Sequence, residues 1–243
     1  MQKNWLDPGV CMLDSIKKDE LNNQITRLCD LYSQGQVETV LQEVHILLEV
    51  FPNSIALYII EGDCNAKLQK FDAAKICYKK AVDLNPNFAP SHFNLAVVFQ
   101  DTGELDSAIK SYETAIQLKP DYAIAYNNIG LIFRDKNELD VAIRCFESVL
   151  KINQTDSTAY NNLGVIMLKK QLYASAQENF RKAIKLTPNF FSAYYNFGVV
   201  MEETGNFNQS LKYFRKAIQI SLLLPDTNIS GVTYVRGKFD NPL

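Results

Sequence analysis

The sequence lacks an excess of either charge. It holds 25 lysines and arginines against 27 aspartates and glutamates, which gives a formal net charge of −2. A balanced chain has no broad electrostatic attraction to nucleic acid or to anionic lipid, because both depend on clustered positive charge. We therefore expect a partner that is neither a nucleic acid nor a membrane.

The sequence also lacks long hydrophobic runs. No stretch approaches the roughly 18 consecutive apolar residues that a membrane-spanning helix requires, and the longest apolar run near the end is Leu222–Leu224. The first residues, Met1–Pro8, include a single lysine and no apolar core, so they do not match a secretory signal. These features predict a cytoplasmic protein without a membrane span.

Metal-binding and catalytic motifs are missing too. The two histidines, His45 and His92, stand apart from each other and from any cysteine pair. No C-x-x-C pair, G-x-S-x-G elbow, P-loop or dinucleotide fingerprint occurs. We expect no cofactor, no metal and no catalytic residue, and we expect reduced, buried or inert thiols at Cys11, Cys29, Cys64, Cys77 and Cys145.

What the sequence does have is an internal repeat. Pro52, Pro86, Pro120 and Pro188 are spaced by 34 residues or twice that number, and Gln154 stands at the missing position. Each proline follows an apolar helical pattern that it would terminate, as in the segment 115–120. The chain is therefore predicted to contain repeats that begin at residues 21, 55, 89, 123, 157 and 191.

Two positions of this register hold residues of consistently different size. Position eight is mostly glycine or alanine, and position twenty-four is mostly aromatic, as in the pairs Gly130 and Phe146 or Gly164 and Phe180. A small residue lets one helix approach another closely, and an aromatic ring fills the space between neighbouring helices. The pattern predicts a helix, a turn and a second helix in every repeat, with a core built from these two positions.

Three six-residue segments in this register share a signature. They are Ala125–Gly130, Ala159–Gly164 and Ala193–Gly198, and each resembles the start of the first helix of a tetratricopeptide (TPR) repeat. The resemblance covers residues 21–224 and implies an all-α fold, a right-handed α-solenoid of six TPR helix-turn-helix repeats whose first helices line a concave groove. The predicted organisation is a lead-in over 1–20, repeats over 21–54, 55–88, 89–122, 123–156, 157–190 and 191–224, and a tail or the start of a following segment over 225–243.

The predicted groove carries a row of amides. Position six of the last four repeats is asparagine, at Asn94, Asn128, Asn162 and Asn196. An amide both donates and accepts hydrogen bonds and could bind the backbone of an extended peptide, and the row resembles the asparagine ladder in the repeat arm of O-linked N-acetylglucosamine transferase. Asparagine is also a common TPR residue at this position, so an inherited consensus remains an alternative.

Other positions on the same helix face complete the predicted peptide-binding site. Steps of three and four residues keep side chains on one face of a helix. Position nine is apolar and position thirteen is charged, so the predicted site adds Val97, Leu131, Val165, Val199, Asp101, Asp135 and Lys169. Position two holds no lysine, which argues against capture of a C-terminal carboxylate of the kind that another TPR class performs.

Three functions are compatible with these features. The first is a protein-protein interaction module that binds an extended peptide or a partner helix in its concave groove. The second is the substrate-recruiting arm of a larger transferase-type or oxygenase-type enzyme, because the segments Leu31–Gln36 and Phe51–Ser54 resemble bacterial TPR arrays that precede such domains. The third is a scaffold that self-associates as a homo-oligomer through an uncapped C-terminal end at Leu222–Leu224.

Overall fold

The structure is a computed structural model that describes residues 8–223, with side chains from residue 19 onward. Within these residues it contains twelve α-helices and no strand, which confirms the predicted all-α class. The helices are α1 (Pro8–Ser33), α2 (Val37–Val50), α3 (Ile55–Lys67), α4 (Phe71–Leu84), α5 (Ala89–Asp101), α6 (Leu105–Leu118), α7 (Ala123–Asp135), α8 (Leu139–Ile152), α9 (Ser157–Lys169), α10 (Tyr173–Leu186), α11 (Phe191–Glu203) and α12 (Phe207–Leu223).

The helices follow the predicted 34-residue register, one pair to a repeat. Helix α1 begins at Pro8 and runs through the predicted boundary between lead-in and first repeat at residue 21. The predicted tail over 225–243, and Leu224 before it, lie outside the described residues. The chain divides into two compact units, Met1–Pro120 with α1–α6 and Asp121–Leu243 with α7–α12, and each is described by itself.

The two helices of each pair are joined by the same tight turn. The backbone N–H three residues beyond the end of the first helix donates to a carbonyl five residues back, as from Glu104 to Phe99 at 2.8 Å and from Leu172 to Met167 at 2.8 Å, which is the hydrogen bond of a Schellman motif. The residue directly before this donor, at position fifteen of the register, has a positive φ in every repeat. These residues are Gly35, Gln69, Gly103, Asn137, Gln171 and Gly205.

The core of each described repeat is built from positions eight and twenty-four, as the sequence predicts. A Cβ added to Gly164 would lie 2.5 Å from the ring of Phe180, and one added to Gly62 would lie 2.5 Å from the ring of Tyr78. No real Cβ tolerates such a distance, so the aromatic side chain occupies the space that the missing Cβ leaves. The size difference between the two positions is therefore confirmed as helix packing.

Three of the position-twenty-four aromatics are covered by the first helix of the next repeat within the same unit. The covering residues are the apolar side chains at positions seven and ten of that helix, three residues apart. This arrangement joins Tyr78 with Leu95 and Val98 in one unit, and Phe146 with Leu163 and Ile166, and Phe180 with Phe197 and Val200, in the other. Both Phe146 and Phe180 are completely buried as a result.

Candidate functional site

In the first unit, the predicted site residues lie on helix α5. Asn94 and Val97 are half-buried, and Asp101 at the end of the helix is exposed. Partial burial raises the pKa of the Asp101 carboxyl, because desolvation disfavours the charged form. These three side chains reach the surface and are available to a partner.

In the second unit, the predicted site residues divide by burial. Asp135 and Lys169 are exposed, and Asn128 and Leu131 are half-buried. Val165 and Val199, predicted as an apolar strip in the groove, are only 2% and 7% exposed and belong to the core beside Phe180 and Phe197. The first-helix face of this unit, the surface formed by α7, α9 and α11, is therefore most accessible at its edges.

The last two members of the predicted asparagine ladder are completely buried and hydrogen-bonded within the protein. Asn162 Nδ2 donates to Asn127 Oδ1 at 3.2 Å, and Asn196 Nδ2 donates to Asn161 Oδ1 at 3.1 Å. Each bond joins one first helix to the first helix of the preceding repeat. These two amides thus connect successive repeats, and a peptide-binding role for the four asparagines stays a prediction.

Sequence reasoning missed the two acceptors, Asn127 and Asn161, which stand at position five. The signal that could have found them is the doubled asparagine at 127–128 and 161–162, one residue before each ladder position. Position five is Phe93 in the third repeat and Tyr195 in the sixth, so the doubling is confined to two repeats. Each position-five asparagine accepts a hydrogen bond from the position-six asparagine of the following repeat.

An open pocket lies beside the first of these amide pairs. Its volume is about 300 Å³, and it lies between the N-terminal ends of α7 and α9, lined by Ala123, Ile124, Asn127, Val149, Asp156 and Thr158. Ile124 is 53% exposed, and Asp156 Oδ1 accepts a hydrogen bond from Ala159 N at 2.8 Å, which caps the start of α9. The pocket combines three apolar side chains with an amide, a carboxylate and a hydroxyl.

The first unit holds a cluster of titratable groups around Asp63, at position nine of the second repeat. The Tyr78 hydroxyl donates to Asp63 Oδ1 at 2.5 Å, and Lys67 Nζ lies 4.5 Å from the centre of the Tyr32 ring. Burial raises the pKa of Asp63, although the hydrogen bond from Tyr78 opposes the rise. Burial and the nearby carboxylate also raise the pKa of Tyr78. The Asp63 carboxylate is a hydrogen-bond acceptor that folding places in an unfavourable environment for its charge.

This cluster gives a pH-dependent prediction for Asp63→Asn, which keeps an oxygen acceptor for Tyr78. Because the pKa of Asp63 is higher in the folded than in the unfolded state, the parent loses stability as pH rises from about 4 through the folded-state pKa. We expect Asp63→Asn to gain stability relative to the parent over that window and to keep the gain at pH 7, measured by urea unfolding. Asp63→Ala, which removes the acceptor, should lose about 1–3 kcal/mol; equal pH profiles for the parent and Asp63→Asn would contradict the argument.

Two of the thiols, Cys64 and Cys77, and both imidazoles have structural surroundings, whereas Cys29 is exposed and Cys145 is half-buried. Burial raises the pKa of Cys64 to about 11 and that of Cys77 to about 12, so both are unreactive thiols at neutral pH. His45 Nε2 lies 2.9 Å from Glu61 Oε1, and His92 Nε2 lies 2.8 Å from the carbonyl oxygen of Pro86. Over residues 19–223, no three His, Cys, Asp or Glu side chains come together as a metal site.

Paired helices repeated every 34 residues, with a glycine-to-aromatic contact in four of the pairs, define a helical solenoid of repeats. The comparisons with known families agree with this class. Models described as TPR repeat match residues 99–134 and 130–171, and models described as tetratricopeptide repeat match 55–88, 77–110, 157–190 and 179–212. Together the matches run without a gap from 55 to 212, and the chain belongs to the tetratricopeptide repeat family.

Solved structures of the same fold are similar to this chain. MamA is 27% identical with a TM-score of 0.61, covering 68% of this chain and 96% of its own. The C-terminal part of a TPR repeat-containing protein from Cytophaga hutchinsonii is 19% identical with a TM-score of 0.67, covering 82% and 80%. YrrB, described as a TPR protein with an unusual peptide-binding site, is 19% identical with a TM-score of 0.58, covering 76% and 93%. No curated protein sequence matches.

The family and these neighbours make the chain a protein-protein interaction scaffold. In its second unit, the exposed charges Asp135 and Lys169 and the pocket at Ile124 are features of the first-helix face that a partner can reach. Between residues 8 and 223, no helix is both long and apolar enough to cross a bilayer.

Proposed function

We propose that this chain binds an extended peptide or a partner helix on the first-helix face of its second unit, with one apolar side chain of the ligand seated in the pocket beside Ile124. The observation that carries the proposal is the pocket itself. Its volume of about 300 Å³ lies at the lower end of the range for ligand pockets and leaves room for a side chain of a peptide.

The lining of the pocket fits a peptide. Ile124 and Val149 offer apolar contact, which provides affinity, and Asn127 and Thr158 offer groups that can pair with a peptide backbone. The Asn127 amide is held in place by the hydrogen bond from Asn162, so its orientation is fixed before a ligand arrives. A preordered polar group reduces the entropy lost on binding.

The charges at the far end of the same helices support a ligand of mixed charge. Asp135 ends α7 and Lys169 ends α9, and both are exposed. Opposite charges at the rim of a binding surface fix the register of the ligand more than they add affinity. Half-buried Leu131 lies in the same helix as Asp135 and offers a second apolar contact.

The test is binding of the full chain to an unbiased peptide library, with each captured peptide measured by fluorescence polarisation. We expect the parent to capture peptides that share an apolar residue, and we expect Ile124→Asp to weaken them about tenfold or more, since a charged group would enter an apolar contact. Ile124 is 53% exposed, so this substitution leaves the core intact.

The matched control is Leu172→Asp. Leu172 is 49% exposed and lies outside the pocket lining, so the same chemical change there should leave peptide binding unaltered. Circular dichroism and urea unfolding of both variants confirm that they fold alike. Equal binding by the parent and Ile124→Asp would overturn the proposal.

A further inference from the structure

The last repeat presents its packing face to solvent. Helix α12 carries five apolar side chains spaced by four, three, four and four residues, which places them on one face. Phe214 is half-buried, and the other four are 53–75% exposed: Phe207 64%, Leu211 53%, Ile218 58% and Leu222 75%. In the part of the chain that the structure describes, no following helix packs against this stripe.

A pocket lies within the same face. Its volume is about 330 Å³, and its walls are Phe191, Tyr195, Glu202, Phe214, Ala217 and Ile218. Phe214 occupies position twenty-four, where Phe146 and Phe180 of the preceding repeats are completely buried. The pocket is therefore the space that a first helix fills in the earlier repeats of this unit.

Those earlier repeats specify what fills such a space. Every described position-twenty-four aromatic that has a covering helix within its own unit meets two apolar residues three apart on that helix. The pairs are Leu95 with Val98, Leu163 with Ile166, and Phe197 with Val200. An occupant of the pocket beside Phe214 should present the same spacing.

The charge next to the stripe adds a second requirement. Helix α12 contains three basic residues, Lys212, Arg215 and Lys216, and no acidic residue. Arg215 stands at position twenty-five, which in other repeats faces the covering helix: His45 Nε2 lies 2.9 Å from Glu61 Oε1, and Arg181 lies 5.9 Å from the Phe197 ring centre. Position twenty-five of the second repeat, Lys79, likewise lies 5.9 Å from the ring of Phe99, at position eleven.

We propose that this end face is a second binding site, and that its occupant is an amphipathic α-helix of another protein. The helix carries two apolar residues three apart, which cover Phe214 and enter the pocket, and a carboxylate one residue after the second of them, which pairs with Arg215. Apolar contact supplies the affinity, and the carboxylate selects partners and fixes the register. This site is distinct from the one beside Ile124.

Other occupants fit less well. A second copy joined head to tail would bring Arg27 and Asp30, both exposed and charged, to the two covering positions of its first repeat. A second copy joined through its own α12 in antiparallel fashion would place Arg215, at the centre of the helix, against its own equivalent, and like charges repel. Continuing the 34-residue register along the sequence puts Gly231 at the first covering position, where no side chain is available.

The experiment uses the full chain and a stapled helical peptide that copies residues 191–203 with Met201→Glu. This probe contains Phe197 and Val200 as the apolar pair and a carboxylate in the required place. We expect saturable binding by fluorescence polarisation, weakened at least tenfold by Ile218→Glu and by Arg215→Glu in the protein. A second peptide with Met201→Arg should bind the Arg215→Glu protein better than it binds the parent.

Two controls separate this site from other effects. Ile76→Glu makes the same change at a 69% exposed isoleucine of the other unit and should leave binding unchanged. Ile124→Asp should also leave it unchanged, so a failure of the proposed peptide site would be distinguishable from a failure here. Absence of binding to the full chain, or equal binding by Ile218→Glu and the parent, would overturn the proposal.

Two further measurements test whether a second copy of the chain or a lipid surface occupies this face instead. A mass in sedimentation equilibrium that rises with concentration and falls to the monomer in Ile218→Glu would assign the face to a second copy and overturn the proposal. Binding to phosphatidylserine vesicles that is lost in Arg215→Glu would assign it to a lipid surface and overturn it equally.

Discussion

Replacing Phe180 with alanine is expected to lower the free energy of unfolding by about 3–5 kcal/mol, the range for removing a fully buried aromatic ring. Phe180 is 0% exposed, and its ring packs against Phe197 with the ring centres 6.4 Å apart. The ring also fills the space beside Gly164. Alanine would therefore leave a cavity between two repeats, and urea unfolding followed by circular dichroism measures the loss.

Phe214 provides the matched control because it stands at the same register position and meets a glycine in the same way. A Cβ on Gly198 would lie 2.6 Å from the Phe214 ring, but Phe214 is only half-buried. We expect Phe214→Ala to lose less, about 1–3 kcal/mol, because less apolar area leaves water in the parent. Equal losses for the two substitutions would mean that cover by the next repeat contributes nothing to the stability of this core.

Helix packing could be predicted from the sequence because it depends on residue size repeated in register. A glycine at position eight and an aromatic at position twenty-four have one common explanation, which the contact of Gly164 with Phe180 confirms. Five of the six repeats have a small residue and an aromatic at these positions, so the deviation in the first repeat, Leu28 with Val44, does not obscure the pattern. The twelve helices and their pairing followed from the same register.

The burial of the last two members of the predicted ladder could not be predicted from the sequence. Helical periodicity places positions two, six, nine and thirteen on one face, but it does not say how far the first helix of a neighbouring repeat covers that face. Asn162 and Val165 lie where such cover is complete, and Leu131 lies where it is partial. The distance between neighbouring helices decides the difference, and that distance depends on all the side chains between them.

The turn conformation was predictable in only part of the chain. Gly103 has a φ of 79°, a conformation that glycine adopts readily, so a turn at that residue type is expected. Gln69 and Gln171 occupy the same register position with φ values of 58° and 59°, although a side chain makes this conformation unfavourable. The Schellman hydrogen bond and the packing of the two flanking helices impose the conformation there, so the position in the repeat decides it rather than the residue type.

Substitution of Asn196 tests whether the buried amides stabilise the contact between repeats. Its side chain is 0% exposed, and its Nδ2 atom donates to Asn161 Oδ1 at 3.1 Å. Asn196→Asp replaces this donor with a carboxylate oxygen, so two acceptors would face each other in a site without water. We expect a loss of about 3–5 kcal/mol at pH 7, as for other unpaired buried charges.

The loss should depend on pH, and the direction follows from the burial. The introduced carboxyl would have a higher pKa in the folded than in the unfolded state, so the destabilisation should diminish as pH falls through that folded-state pKa, where the protonated acid can donate to Asn161. Asn196→Ala, which carries no charge, should lose about 2–3 kcal/mol at every pH. Asn94→Asp is the control, because Asn94 has the same register position but is half-buried, and it should lose less than about 1 kcal/mol. Equal small losses for Asn196→Asp and Asn94→Asp would show that the amide pair contributes little to folding.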